Sequence, residues 1–173
     1  MINHLLFYMA SFSLFSAELK KEKIMSALNK SIAGLAGSLA LTAVHQIFKK
    51  NVENAPDLDQ VGEKLVEESL DNLDMYDADD EKVYAAAMGG NILSNAMLFS
   101  TLATSTNTSE IIGKTVGTGL LGAAGTIGLA EHFLGNNNAT NTDQKKWMTT
   151  GYYLFGALVT IGVYNLLERK NNR

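Results

Sequence analysis

Four polar residues stand inside or at the ends of otherwise apolar segments, and they are the residues that could carry chemistry: His45, Asn91, Glu131 and His132. Imidazole and carboxylate groups bind metals and relay protons, and an amide can hydrogen-bond a neighbouring helix. Two interpretations stay open. The four residues form one polar site for a proton, a solute or a metal, or each has a separate structural or interfacial role, which is the simpler interpretation.

The sequence contains none of the usual catalytic patterns. It has no cysteine, which excludes disulfides, thiolate metal sites and cysteine nucleophiles. HExxH, GxSxG and a Walker loop are absent. The acidic pairs Asp79-Asp80 and Asp57/Asp59 do not complete the calcium-loop pattern of alternating oxygen ligands, a central glycine and a terminal glutamate. We therefore expect no enzymatic activity, no catalytic residue, no bound metal and no cofactor.

Four long segments must position these polar residues, and each is apolar or small on every side. A helix that spans a bilayer needs about 20 such residues, whereas a soluble helix shows a charged stripe. The sequence therefore predicts an all-α integral membrane bundle of four transmembrane helices at residues 31–48, 84–104, 111–134 and 147–167. A soluble or peripheral bundle is the alternative, because many glycines lower the hydropathy of each segment.

Glycines and aromatic residues suggest how these helices pack. Small residues four apart let helix backbones approach closely in a bilayer, within one chain or between copies. The glycines expected at such contacts are Gly34, Gly37, Gly113, Gly117, Gly122 and Gly125. In the fourth segment Trp147, Tyr152 and Tyr153 are expected near one membrane interface and Tyr164 near the other.

The segment between the first two spans is strongly acidic. Residues 51–82 hold twelve of the 18 acidic residues and two lysines. Leucine and valine recur there at helical spacing after a capping pattern formed by Asp57 and Gln60, which predicts an extramembrane amphipathic helix at residues 58–74. Helices that bind membrane surfaces are typically basic, so this acidic helix is expected to dock on protein.

Residues 1–24 form an apolar segment of doubtful status. It is shorter than a membrane span, and it carries no basic residue ahead of its apolar run. Three interpretations stay open: translation of an upstream region when Met25 is the true start, an extra membrane-associated helix, or a signal or anchor. Residues 25–173 are then the four-helix transmembrane domain, including the acidic loop 51–82.

The distribution of basic residues predicts the orientation. Four spans place both termini on one side, with eight lysines and arginines against six on the other. The bias places the termini in the cytoplasm. The net charge of −4 comes from the acidic loop and does not bear on nucleic acid. The sequence contains no basic patch interleaved with aromatic residues, so we expect no nucleic-acid partner.

Residues 33–37 and 41–45, followed by Asn54-Ala55-Pro56-Asp57, resemble small bacterial membrane proteins of unassigned function. The resemblance implies a bacterial inner membrane and supplies no activity. The expected function is that of a small, non-enzymatic inner-membrane protein whose glycine-rich helices pack or assemble. Its partners would be the lipid bilayer and either further copies of the chain or another membrane protein. The alternative is a transporter or channel-like oligomer with a polar site at one membrane face.

Overall fold

The protein is an all-α bundle. The computed structural model describes residues 2–72, 79–102, 108–135 and 139–171, and helices are the only regular elements in these ranges. In chain order they are α1 (Ile2–Asn51), α2 (Asp59–Asp71), α3 (Asp80–Ser100), α4 (Thr108–Leu134) and α5 (Asp143–Asn171). The expected all-α class is thereby confirmed.

Local chemistry accounts for several of the helix ends. Lys49 and Lys50 lie in the last turn of α1, where positive charge offsets the helix dipole. Asp80 and Glu81 occupy the first turn of α3, where negative charge offsets the positive end of the helix dipole. The Thr142 hydroxyl accepts a hydrogen bond from the Lys145 amide at 3.3 Å and so caps the start of α5. Immediately after α4, Gly135 has a φ of 57°, a conformation that favours glycine.

The four long helices form a curved row in the order α3, α1, α5, α4. Helix α1 packs on α3 and α5, and α5 packs on α4, while α3 and α4 scarcely touch each other. The short helix α2 packs across α3 and α4 at one end of the row. The predicted helix at 58–74 is therefore present as Asp59–Asp71 and docks on protein, as expected; residues 73–74 lie outside the described ranges.

Two glycines of α1 allow its backbone to touch its neighbours. A Cβ on Gly34 would collide with the carbonyl oxygen of Ala96 on α3 and lie 2.8 Å from the Ser100 nitrogen. A Cβ on Gly37 would collide with the Thr160 side chain and lie 2.5 Å from the carbonyl oxygen of Gly156 on α5. Because both positions meet backbone, no rotamer change can make room for a larger residue.

The glycines of α4 divide into two groups. A Cβ on Gly122 would collide with the ring of Tyr153, which shows that α4 and α5 pack closely there. At Gly113, Gly117 and Gly125 no described residue lies within 4 Å of the added atom. The sequence also predicted that such glycines could mediate contacts between copies of the chain. For these three residues that remains a prediction.

The expected spans correspond to parts of longer helices. Segment 31–48 lies within α1, 111–134 within α4 and 147–167 within α5, whereas α3 ends at Ser100 rather than at residue 104. Among the described residues, two helices are long and apolar enough to cross a membrane, Ile24–Asn51 and Asp143–Lys170. Four transmembrane helices are therefore not established by length and composition.

The aromatic residues of α5 differ from the expected belt. Trp147 is exposed, but Tyr152 and Tyr153 are buried in the core with Leu41, Phe99 and Ala157. For Tyr153 the physical reason is the absence of a side chain at the facing position of α4. Gly122 on α4 leaves the space that the Tyr153 ring fills, so the tyrosine packs inward rather than at a lipid interface.

Candidate functional site

A cavity of about 400 Å³ lies between α3 and α4, with α1 and α5 behind it. We call it the α3–α4 cavity. Helix α4 contributes Leu121, Gly122, Gly125, Thr126 and Leu129 to its wall. Of these, Leu121 is 69% and Leu129 is 41% exposed, so the cavity continues to the outer surface between the two helices. A volume of this size falls within the roughly 300–1,000 Å³ typical of small-molecule sites.

Helix α3 supplies the facing wall, with Met88, Asn91, Ser94, Asn95 and Leu98. These residues lie on one face because they recur at intervals of three or four. From Met88 to Leu98 the wall is roughly 15 Å long, at 1.5 Å per helical residue. The resulting cleft has apolar ends and polar side chains near its middle.

One end of the cavity is closed by α2 and the residue before it. Leu58, Asp59, Val61 and Leu65 line this end. Val61 is buried against Ala130 and Ala139, and a Cβ on Gly62 would lie 2.6 Å from the Asn91 amide nitrogen. The amphipathic pattern found in the sequence is thus satisfied by burial of the apolar face on α3 and α4.

A polar cluster fastens α2 to the end of α1. Lys49 Nζ lies 2.5 Å from Asp57 Oδ1 and 2.8 Å from Asp59 Oδ2. Gln46 donates to both Asp59 oxygens, at 3.1 and 3.0 Å. His45, which is buried, has its Nε2 3.1 Å from the Pro56 carbonyl oxygen and its Nδ1 3.8 Å from Asp59 Oδ1. We call these residues the α1–α2 clasp.

The charge of Asp59 is stabilised by the clasp. Burial by itself would raise the pKa of this carboxyl group. Hydrogen bonds from Lys49 and Gln46, together with the charges of His45 and Lys49, outweigh burial and lower the pKa below its ordinary value. Charge-assisted hydrogen bonds of this kind are stronger than neutral ones, so Asp59 is the centre of the clasp.

We expect acid to release α2. A carboxyl group whose pKa is lower in the folded state stabilises the fold above its unfolded pKa of about 3.9, and that stability is lost as the pH falls through the folded value. Asp59→Asn should remove this dependence and cost on the order of 1–3 kcal/mol at neutral pH, the value of a hydrogen bond to a charged group. Thermal unfolding between pH 7 and pH 2.5 measures both effects.

The control for this experiment is Asp71→Asn, at the exposed far end of the same helix. It should melt as the wild type does and keep the acid dependence. An Asp59→Asn variant that is equally stable at pH 7 and still loses stability in acid would show that Asp59 does not hold α2.

The polar groups in the cavity wall are neutral, apart from Asp59 and a titratable His45. The Tyr153 hydroxyl lies 2.5 Å from Thr126 Oγ1 and within hydrogen-bonding reach of Asn95. Asn91 lines the cavity, and its side-chain amide makes no hydrogen bond to any other residue that the structure describes. The cavity therefore offers one satisfied polar network and one amide with unused donors and an unused acceptor.

The structure brings together two of the four predicted polar residues. His45 and Asn91 both line the α3–α4 cavity. Glu131 and His132 do not; both are exposed, Glu131 pairs with Lys146 at 2.7 Å, and the His132 ring packs on Phe133. Successive side chains on a helix point in directions about 100° apart. The position of Glu131 and His132 at the end of α4 therefore fixed their depth along the helix axis but not the direction in which each side chain points. No cluster of His, Cys, Asp and Glu that could hold a metal occurs among the described residues.

Several lining residues were not predicted from the sequence. Thr42, Ser94, Asn95, Thr126 and Tyr153 add most of the hydrogen-bonding capacity of the cavity. Asn95 lies one turn after Asn91, so the two amides share one face of α3. Threonine and serine are common in membrane helices, where they bond to their own backbone, so their sequence positions carried no comparable signal.

The fold and this cavity define a class of protein: an all-α bundle with a laterally open cavity and two helices suited to a membrane. No family model matches the sequence, and neither a curated protein nor a solved structure shows significant similarity to it.

Proposed function

We propose that this chain is a small polytopic protein of a bacterial inner membrane, with α1, α3, α4 and α5 crossing the bilayer and α2 outside it. The observation that carries the proposal is the inverted distribution of side chains. All four long helices expose large apolar residues, while small or polar residues such as Ser38, Thr149 and Thr160 are fully buried. Helices in lipid pack in this way, because small residues admit close contact and large apolar ones face acyl chains.

The burial of the two most apolar helices supports a membrane location. In α1 and α5, 33% and 28% of the most apolar stretch is buried. The core helix of a water-soluble protein would be mostly buried. An exposed apolar surface on this scale is unfavourable in water and favourable in lipid.

Three of the long helices contain an uncharged segment with a charged residue at each end. The bounding residues are Lys30 and Lys49 in α1, Lys114 and Glu131 in α4, and Lys146 and Glu168 in α5. At 1.5 Å per residue, the segments between these charges are roughly 25–33 Å long, close to the thickness of a hydrocarbon core. When residues 1–24 are counted, basic residues number eight on the side of the termini and six on the other, which favours termini in the cytoplasm.

We expect the protein to remain in the pellet when bacterial membranes are washed with sodium carbonate at pH 11, and to require detergent for purification. A protein that is released by carbonate, or that is monomeric and soluble without detergent, would overturn the membrane assignment. Cysteine labelling at Glu67 on α2 and at Lys170 at the end of α5, using an impermeant reagent on intact cells, would test the predicted sidedness.

A role in packing or assembly, without enzymatic activity, fits the open glycines of α4. Gly113 and Gly117 lie on a face that none of the described residues covers closely. The second candidate function is a transporter or channel-like oligomer, and it is favoured by the cavity that holds His45 and Asn91. Solute flux into proteoliposomes separates the two, because a packing role predicts none.

A further inference from the structure

We propose that the α3–α4 cavity binds one neutral single-chain amphiphile from the lipid phase, with its polar group on Asn91 and its chain lying between α3 and α4. This inference rests on the proposed membrane location. It adds a ligand site and a ligand class to that proposal.

The lateral opening of the cavity identifies where its ligand comes from. Two of its wall residues, Leu121 and Leu129, also belong to the exposed apolar surface of α4. On the other side, Leu93 and Met97 of α3 are exposed beside Ser94, which lines the cavity. A molecule dissolved in the bilayer can therefore slide between the two helices without crossing water. The docked helix α2 closes the end that would otherwise face water.

The charges of the wall select a neutral polar group. No lysine or arginine occurs among the described residues that line the cavity, so an anionic phosphate would have no counter-charge from them. The one carboxylate, Asp59, is already held by Lys49 and Gln46, so it offers little to a cationic group. An ester carbonyl or a hydroxyl needs a donor and an acceptor instead, and both are present on the Asn91 amide.

The shape of the cavity fits a chain rather than a compact ring system. Its wall is roughly 15 Å long on α3, and Leu41, Leu98 and Leu121 provide an apolar end beyond the polar residues. Gly125 has no side chain and no close neighbour among the described residues, so a chain can lie against the backbone of α4 there. A two-chain lipid would need a second groove beside the first.

The test is photocrosslinking in nanodiscs of phosphatidylcholine. The probe is a monoacylglycerol that carries a diazirine on its acyl chain. We expect saturable labelling of peptides from residues 88–98 and 121–129. Unlabelled monoacylglycerol should compete at least tenfold better than a lysophosphatidic acid of the same chain length, or an alkane. Asn91→Leu should reduce the advantage over the alkane.

Filling the cavity provides the decisive variants. Gly125→Leu places a side chain in the cavity from a position with no neighbour within 4 Å, so the fold should be kept. We expect at least a tenfold loss of labelling. The matched control is Gly128→Leu on the same helix, which is equally open but does not line the cavity, and it should label as the wild type does. Ser94→Leu fills the cavity from the facing wall and serves as the second variant.

Three results would overturn the proposal. Labelling that survives in both Gly125→Leu and Ser94→Leu, when these melt as the wild type does, places the probe elsewhere. Equal competition by lysophosphatidic acid refutes a neutral site. Native mass spectra that show a dimer excluding the probe assign the cavity to a second copy of the chain. Carbonate extraction is measured separately, so a protein retained in the membrane without labelling refutes the site and leaves the membrane assignment standing.

Discussion

Gly37→Leu is expected to abolish the packing of α1 on α5. The new side chain would have to occupy space held by the Gly156 carbonyl oxygen and the Thr160 side chain. Overpacking commonly costs about 1–3 kcal/mol, and the cost here should reach or exceed about 3 kcal/mol because the obstacle includes backbone. Thermal unfolding in detergent, followed by circular dichroism, measures the loss.

The matched control is Gly117→Leu, in the middle of α4, where the structure places no atom within 4 Å. Leucine is the better helix former by somewhat under 1 kcal/mol, so a monomer should be unchanged or slightly more stable. A wild-type melting temperature for Gly37→Leu would contradict the close contact of α1 and α5. A destabilised Gly117→Leu would indicate that another copy of the chain covers that face.

Phe99→Ala is expected to be the most damaging truncation in the core. Phe99 is 0% exposed, and its ring lies against Gly156, where a Cβ would be 2.8 Å away. Its ring centroid is 6.2 Å from that of Tyr153. Removing the ring leaves a cavity where α3 meets α5, at a cost of about 3–5 kcal/mol in water-soluble proteins. The cost should be near the lower figure if lipid surrounds the bundle, because the transfer from water then contributes less.

Phe155→Ala is the corresponding control, since Phe155 lies on the neighbouring face of α5 and is 46% exposed. It should change the melting temperature little in detergent. If the two phenylalanine variants melt at the same temperature, Phe99 does not fill the core as described. The contact between Phe99 of α3 and Gly156 of α5 would then contribute little to the stability of the bundle.

The positions of the helices could be predicted from local properties of the sequence. Uncharged segments bounded by lysine and glutamate predicted the four long helices, and the spacing of Leu58, Val61 and Leu65 predicted α2. Helical periodicity and helix ends depend on residues within one or two turns, so they can be detected without knowledge of the fold. The acidic face of α2 even indicated that it would dock on protein.

The site required the tertiary structure, because it depends on the rotation of each helix about its own axis. Glu131 and His132 lie at the end of α4, yet both face outward, while Thr126, farther from that end, faces the cavity. The hydrophobic pattern of a helix that is apolar on every side does not select one inward face, so the sequence carried no information on this rotation. It is set instead by close contacts such as Gly122 with Tyr153 and Gly34 with Ala96.

The sequence by itself thus determined the helical class, the approximate helix positions, the absence of cysteine chemistry and the amphipathic character of α2. The tertiary structure decided that α3 and α4 stand apart, that His45 joins the α1–α2 clasp, and that the Asn91 amide lines the α3–α4 cavity without a hydrogen-bond partner among the described residues. The physical reason is the range of the interactions. Helix formation is governed by neighbours in the chain, whereas the cavity exists because α1 and α5, distant in sequence, hold α3 and α4 on opposite sides.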